Sequence, residues 1–123
     1  MAAVLAVEDE ILILLTAQST LVNAGHKVFT ASTMDHALAA IRSNEKFDLL
    51  FTDIHLLGDA QAGVHLAKEF TRSFPGSPVL YTTAYGITPG LVAMFVEPHG
   101  FLSKPYAPGQ LLTAVGNLLN SRK

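Results

Sequence analysis

The chain has 123 residues, half of them hydrophobic and 15% charged, with a formal charge of −2 at neutral pH. That suits one domain with a well-filled core and lacks the basic excess that direct nucleic-acid binding draws on. There is no cysteine, which excludes disulfides, thiolate catalysis and cysteine-held zinc.

The first element, AVLAV from Ala3 to Val7, reads as a buried strand. The stretch around it, MAAVLAVEDE, has no positive segment and meets acids too soon for a secretion signal. No apolar run reaches the roughly 18 residues of a membrane span, so a cytoplasmic protein away from the membrane is expected. Glu10 to Ala24 reads as a helix ended by Gly25. HKVFTAS is a second strand, followed by a helix over Met34 to Arg42 with Ser32 or Thr33 as its N-cap. FDLLFTD is a third strand. A loop containing Gly58 and Gly63 leads to a helix ending near Phe74. SPVLYTT is a fourth strand, and a short helix fits Thr88 to Val96, with Pro89 and Gly90 disturbing its start. GFLSK is a fifth strand and Pro108 to Asn120 a final helix with proline in its first turn. Alternating strands and helices, with strands this apolar, predict a doubly wound α/β sandwich on a five-stranded parallel sheet, a single domain over 1–123.

In such a sheet ligands sit beyond the carboxyl ends of the strands. Four ends deliver polar groups there: Glu8 and Asp9 with Glu10 behind, then Asp53, then Thr82 and Thr83, then Lys104 before Pro105. A lone aspartate closing a strand is more often a turn-former, and acids before a helix favour its N-terminus. Three acids in one pocket repel one another, however, unless a cation neutralises them. Oxygen donors suit magnesium or manganese better than zinc. A carboxylate, a dication, an ammonium from Lys104 and a hydroxyl from Thr83 together match a phosphoryl group in transfer, with Asp53 as the nucleophile. Thr82 competes with Thr83 for the hydroxyl role, and the following Ala84 favours Thr83.

VEDE, FTDI, TTA and SKP, in this order at four strand ends, resemble the receiver domain of two-component response regulators. The resemblance covers essentially the whole chain. It implies a flavodoxin-like fold with strand order 2-1-3-4-5 and phosphoryl transfer from a histidine kinase or histidine phosphotransfer protein. By motif, Asp53 is the phosphoacceptor, Asp9 a direct magnesium ligand, Glu8 a ligand through water and the backbone carbonyl of His55 another. Thr83 and Lys104 are implied to hold the phosphoryl oxygens, Phe101 to act as an aromatic switch, and Lys104–Pro105 to be cis. The resemblance also implies that His55 and Tyr85 tune the access of water to the phosphoryl group. His26, His36, His65 and His99 show no metal spacing and read as structural.

Three features depart from the family's pattern. The loop IHLLGDAQAG lacks a proline near Leu57 and reaches Gly63 late, and Pro89, Gly90 and Pro98 should shorten the fourth helix. In the first helix Ile11 to Leu15 are all apolar. With Ile13, Ala17, Thr20 and Leu21 facing the sheet, Leu14 and Leu15 would point outward, as a surface for a kinase's helical bundle or for a second copy of the chain; with the stripe phased otherwise, the two leucines are core. Other readings fit less well. An aspartate-based phosphatase needs a second Asp where His55 stands, and a flavin carrier needs a phosphate loop where Glu8, Asp9 and Glu10 would repel the phosphate. A scaffold that works without phosphorylation leaves the acid pair, Asp53, Thr83 and Lys104 without a role. A receiver cut from a hybrid kinase or larger regulator fits the same residues.

Overall fold

A computed structural model describes residues 2–121. Among them five strands and five helices alternate along the chain. The strands are β1 (Ala3–Val7), β2 (Lys27–Ala31), β3 (Leu49–Asp53), β4 (Val79–Thr83) and β5 (His99–Ser103). The helices are α1 (Ile11–Asn23), α2 (Met34–Ile41), α3 (Ala62–Ser73), α4 (Pro89–Val92) and α5 (Pro108–Ser121). All pairings are parallel, in the order β2-β1-β3-β4-β5 that the resemblance implies. Every residue of β3 and β4 is buried, because helices cover both faces of a sheet whose central strands carry almost no polar residue before their last positions.

Strand alternation sorts the apolar side chains into two cores. Leu5, Val7, Leu50, Val79 and Tyr81 face α2 and α3, packing on Ile41, Val64, Leu66 and Phe70. Val4, Ala6, Leu49, Phe51 and Leu80 face α1 and α5, packing on Leu14, Leu21, Leu111 and Val115. Local signals set the helix ends. Thr33 caps α2 by accepting a hydrogen bond from the amide of His36 at 3.1 Å. After α1, Gly25 takes φ +95°; its amide donates to the Val22 carbonyl and that of His26 to the Leu21 carbonyl, which closes the helix in a Schellman motif.

The register of α1 differs from the expectation. Leu14 is buried, at 4% exposure, and forms one stripe with Ala17 and Leu21. Leu15, at 49%, stays outside together with Ile11, Leu12 and Val22. A helix apolar on every side offers no polar edge from which to phase the stripe, so the run Ile11 to Leu15 left the register open. The exterior is apolar as expected, with Leu12 rather than Leu14 beside Leu15.

The fourth helix is four residues long, shorter than Thr88 to Val96. Its ladder gives way to tight turns, Met94 to Leu91 and Phe95 to Val92, and the Val96 amide donates instead to the Tyr81 hydroxyl at 3.0 Å. Tyr81 stacks on Phe95 at 4.0 Å between ring centroids, and burial pushes its phenol up to about 12. Both Glu97–Pro98 and Lys104–Pro105 are cis; the resemblance implied only the second.

Gly63 ties α3 to the end of β3. Its amide donates to the Ile54 carbonyl at 2.9 Å, and a Cβ there would run into the Asp53 carbonyl oxygen and stand 2.8 Å from Ile54 Cα. The obstacle is backbone, so it cannot turn aside. Gly63→Ala should therefore cost about 1–3 kcal/mol, read as a lower urea midpoint, and should shift the amide resonances of Asp53 and Ile54.

Candidate functional site

The parallel register brings the strand ends level. Val7 lies beside Thr52, Asp53 beside Thr82 and Thr83 beside Ser103, so the residues just beyond share one edge. Three backbone bonds extend the ladders past the strands: Glu8 to the Ala31 carbonyl, Ile54 to that of Thr82 and Lys104 to that of Thr83. This edge forms a cavity of about 420 Å³ whose wall includes Asp9, Asp53, His55, Tyr85 and Lys104.

Lys104 is the centre of the charge arrangement. Its Nζ donates to Asp53 Oδ2 at 2.7 Å and lies 2.6 Å from Glu8 Oε2, with all three side chains buried. Glu10 is more distant, at 3.9 Å, and exposed. Burial alone would lower the Lys104 ammonium, but its bonds and attraction to Asp53 and Glu8 outweigh that and hold it above its ordinary value. The other Asp53 oxygen, Oδ1, accepts from the His55 amide at 3.1 Å. Asp9 Oδ2 accepts from the amide of Leu57, which sits at φ +26° in the β3–α3 loop.

The chemistry of the donor set tests whether a cation fits. Glu8, Asp9 and Asp53 each offer a carboxylate oxygen, and these lie within 4.8 Å of one another. Three acids face one ammonium, and all the donors are hard oxygens, so a magnesium-class dication matches both the charge left over and the ligand type. Burial pushes Glu8 up to about 7; repulsion from Asp53 adds to this, while the Lys104 hydrogen bond and the Glu10 amide pull the other way. The folded chain thus holds this proton more tightly than the unfolded chain, where the value is near 4.5. Between those two values the folded state binds more protons, so metal-free stability falls as pH rises from about 4.5 to about 7. Urea unfolding in a chelator should show a loss of at most about 3 kcal/mol across that window, and Glu8→Gln should flatten the profile.

Thr82 and Thr83 part company here. The Thr82 hydroxyl donates to the Leu102 carbonyl at 2.6 Å, inside the sheet edge. Thr83 Oγ1 accepts from the Tyr85 amide at 3.1 Å and lies 3.2 Å from His55 Nδ1. The His55 and Tyr85 rings meet at 4.5 Å between centroids. Phe101 pairs with Tyr81 across β4 and β5 and packs against the core on the α2–α3 side, away from the acids. Gly63, Leu57 and Tyr81 are supports that sequence reading passed over. Only Gly63 carried a signal, as a glycine closing the loop after Asp53.

Comparison with known proteins agrees with this geometry. A family model described as the response regulator receiver domain matches residues 4–116. The crystal structure of a response regulator receiver protein from Sinorhizobium medicae WSM419 superposes with a TM-score of 0.89 at 30% identity, covering 99% of this chain and 97% of that one. The transcriptional regulatory protein GlrR of Escherichia coli is 32% identical over 100 residues, which is 80% of this chain and 22% of GlrR. The probable transcriptional regulator ycf29 of Pyropia yezoensis is 29% identical over 116 residues, 92% of this chain and 51% of that protein. The chain thus spans between about a fifth and about half of the length of these curated relatives.

Proposed function

Because the chain belongs to the response regulator receiver domain family, we propose that residues 1–123 form one receiver that takes a phosphoryl group from a phosphohistidine onto Asp53 and signals through protein–protein contacts. The observation that carries this reading is the Lys104 ammonium lodged between Asp53 Oδ2 and Glu8 Oε2, beside acids that a single ammonium leaves under-compensated. In the transfer an Asp53 oxygen attacks phosphorus, the P–N bond to the donor histidine breaks, and its electron pair returns to the imidazole nitrogen. Glu8, Asp9, Asp53 and the His55 carbonyl would hold a magnesium or manganese ion, which supplies positive charge against which phosphate and carboxylate can approach.

Lys104 follows the charge. Once one Asp53 oxygen is phosphorylated, the Lys104 Nζ donates to a phosphoryl oxygen while keeping its partner Glu8. The Thr83 hydroxyl donates to a second phosphoryl oxygen, and Phe101 turns inward as Thr83 moves. The ring pair His55 and Tyr85 lies over this region and hinders attack by water, prolonging the phosphorylated form. Phosphorylation from small donors and later hydrolysis are the chain's own slow chemistry, distinct from turnover of a metabolite.

The phosphodonor is a histidine kinase or phosphotransfer protein in the cytoplasm. A largely apolar groove of about 490 Å³, whose wall includes Leu12, Ile13, Thr16, Pro105 and Tyr106, adjoins the acidic cavity and shares Glu10, Ala84 and Lys104 with it. A helix carrying the donor histidine would lie along that groove and the exposed Leu12 and Leu15; a second copy of the chain could use the same face. The test of the central reading is incubation with magnesium and acetyl phosphate. The intact mass should rise by one phosphoryl group, removable by hydroxylamine as an acyl phosphate must be. No gain in mass removes the reading.

A further inference from the structure

Resting on Asp53 as the phosphoacceptor, we propose that His55 is a positioning residue that holds the Thr83 hydroxyl in the unphosphorylated state, so that phosphorylation must win that hydroxyl's proton from the His55 ring. Thr83 is 1% exposed and lines no part of the acidic cavity, whereas His55 and Tyr85 both do. Their rings meet at 4.5 Å between centroids on the cavity wall, and His55 Nδ1 lies 3.2 Å from the hydroxyl.

The hydrogen-bond accounting is specific. Thr83 Oγ1 already accepts from the Tyr85 amide at 3.1 Å. A buried hydroxyl must also place its own proton, and among the described residues the acceptor in reach is His55 Nδ1 at 3.2 Å. This assigns the His55 proton to Nε2 and makes Nδ1 the acceptor. The hydroxyl has one proton. A phosphoryl oxygen on Asp53 and the Nδ1 of His55 both need it, and one proton serves one of them. The proton stays on Oγ1 throughout and only its acceptor changes, with no covalent bond made or broken at Thr83. Thr82 is outside this competition, since its hydroxyl is committed to the Leu102 carbonyl. One net hydrogen bond corresponds to about a five-fold bias toward the unphosphorylated arrangement.

The test uses the full chain with magnesium and beryllium fluoride, a phosphoryl mimic, in one alkaline buffer, followed by the amide resonances of Thr83 and Tyr85. His55→Phe keeps a ring over Tyr85 and removes both ring nitrogens. It should tighten the apparent affinity for the mimic about five-fold, and in a Thr83→Val background it should change nothing. An unchanged affinity, or the same change in both backgrounds, overturns the proposal. A second measurement needs no mimic. Imidazole nitrogen resonances of the ligand-free chain should show His55 in one tautomer with Nδ1 accepting, and Thr83→Val should release it to a mixture. A protonated Nδ1, or spectra that ignore Thr83→Val, likewise overturns it. No response to beryllium fluoride in the parent chain removes the phosphoacceptor reading and the competition with it. A normal response with no His55 effect removes the His55 role alone.

Discussion

Asp53→Asn should lower the uptake of phosphate from acetyl phosphate by at least about a thousand-fold, to the limit of intact-mass detection, while the chain stays folded. The amide nitrogen and oxygen of asparagine are poor nucleophiles, and among the described residues no other carboxylate has both the Lys104 ammonium and the His55 amide on its oxygens. Asp9 is engaged with the Leu57 amide and Glu8 with Lys104. The fold should survive because the substitution keeps the side-chain shape, the oxygen that accepts from the His55 amide and the second partner of Lys104. It also removes a negative charge that helps to push Glu8 upward, so Glu8 should fall back toward its ordinary range. Metal-free stability at neutral pH should then be unchanged or slightly higher. Intact mass and thermal melting on one preparation check both halves. Phosphate persisting on the variant at comparable yield would move the acceptor elsewhere in the cluster.

Lys104→Met should have the largest effect on stability. The ammonium is the cation that satisfies two buried carboxylates, at 2.6 Å and 2.7 Å. Removing one member of a buried pair typically costs about 3–5 kcal/mol, because the charge left behind has neither partner nor water. Here the cost should be smaller, about 2–3 kcal/mol at neutral pH, because Glu8 is already raised to about 7 and can take up a proton once its ammonium is gone. Magnesium should restore most of that loss, since a dication replaces the missing charge, whereas phosphate uptake should stay depressed because the donor to the phosphoryl oxygen is absent. Urea unfolding with chelator and with magnesium separates these effects. A variant as stable as the parent in chelator would mean that Lys104 does not carry the charge balance of the pocket.

Much of this was legible from the residues. The strands could be read because apolar runs before Asp53 and Thr83 stop at polar groups, and a parallel sheet places all such stops on one edge. Gly25 marked one helix end through a positive φ that few residues tolerate, and the pair Ser32 and Thr33 marked another through side-chain capping, which Thr33 supplies. What stayed hidden lies where sequence contrast is low or contacts are long-range. The phase of α1 was obscured by five consecutive apolar residues, so Leu14 was placed outside when it is core. The early end of α4 depends on a hydroxyl fifteen residues away along the chain, on Tyr81, which local patterning does not reveal. The contact between Thr83 and His55 joins the ends of two strands, and only the register brings them together.

The stack of Tyr81 on Phe95 bears on how motion at the pocket could travel. Tyr81 lies two residues before Thr83 on β4, and its Cα partner on β5 is Phe101. Flat, stiff rings fill this layer, with His99 edge-on to both Tyr81 and Phe95. A layer of such shapes cannot yield by small degrees, since partial rotation of one ring collides with the next before any gap opens. Rearrangement here would therefore be cooperative, a jump between two discrete packings in which the short segment around Val96 is released or re-seated as a unit.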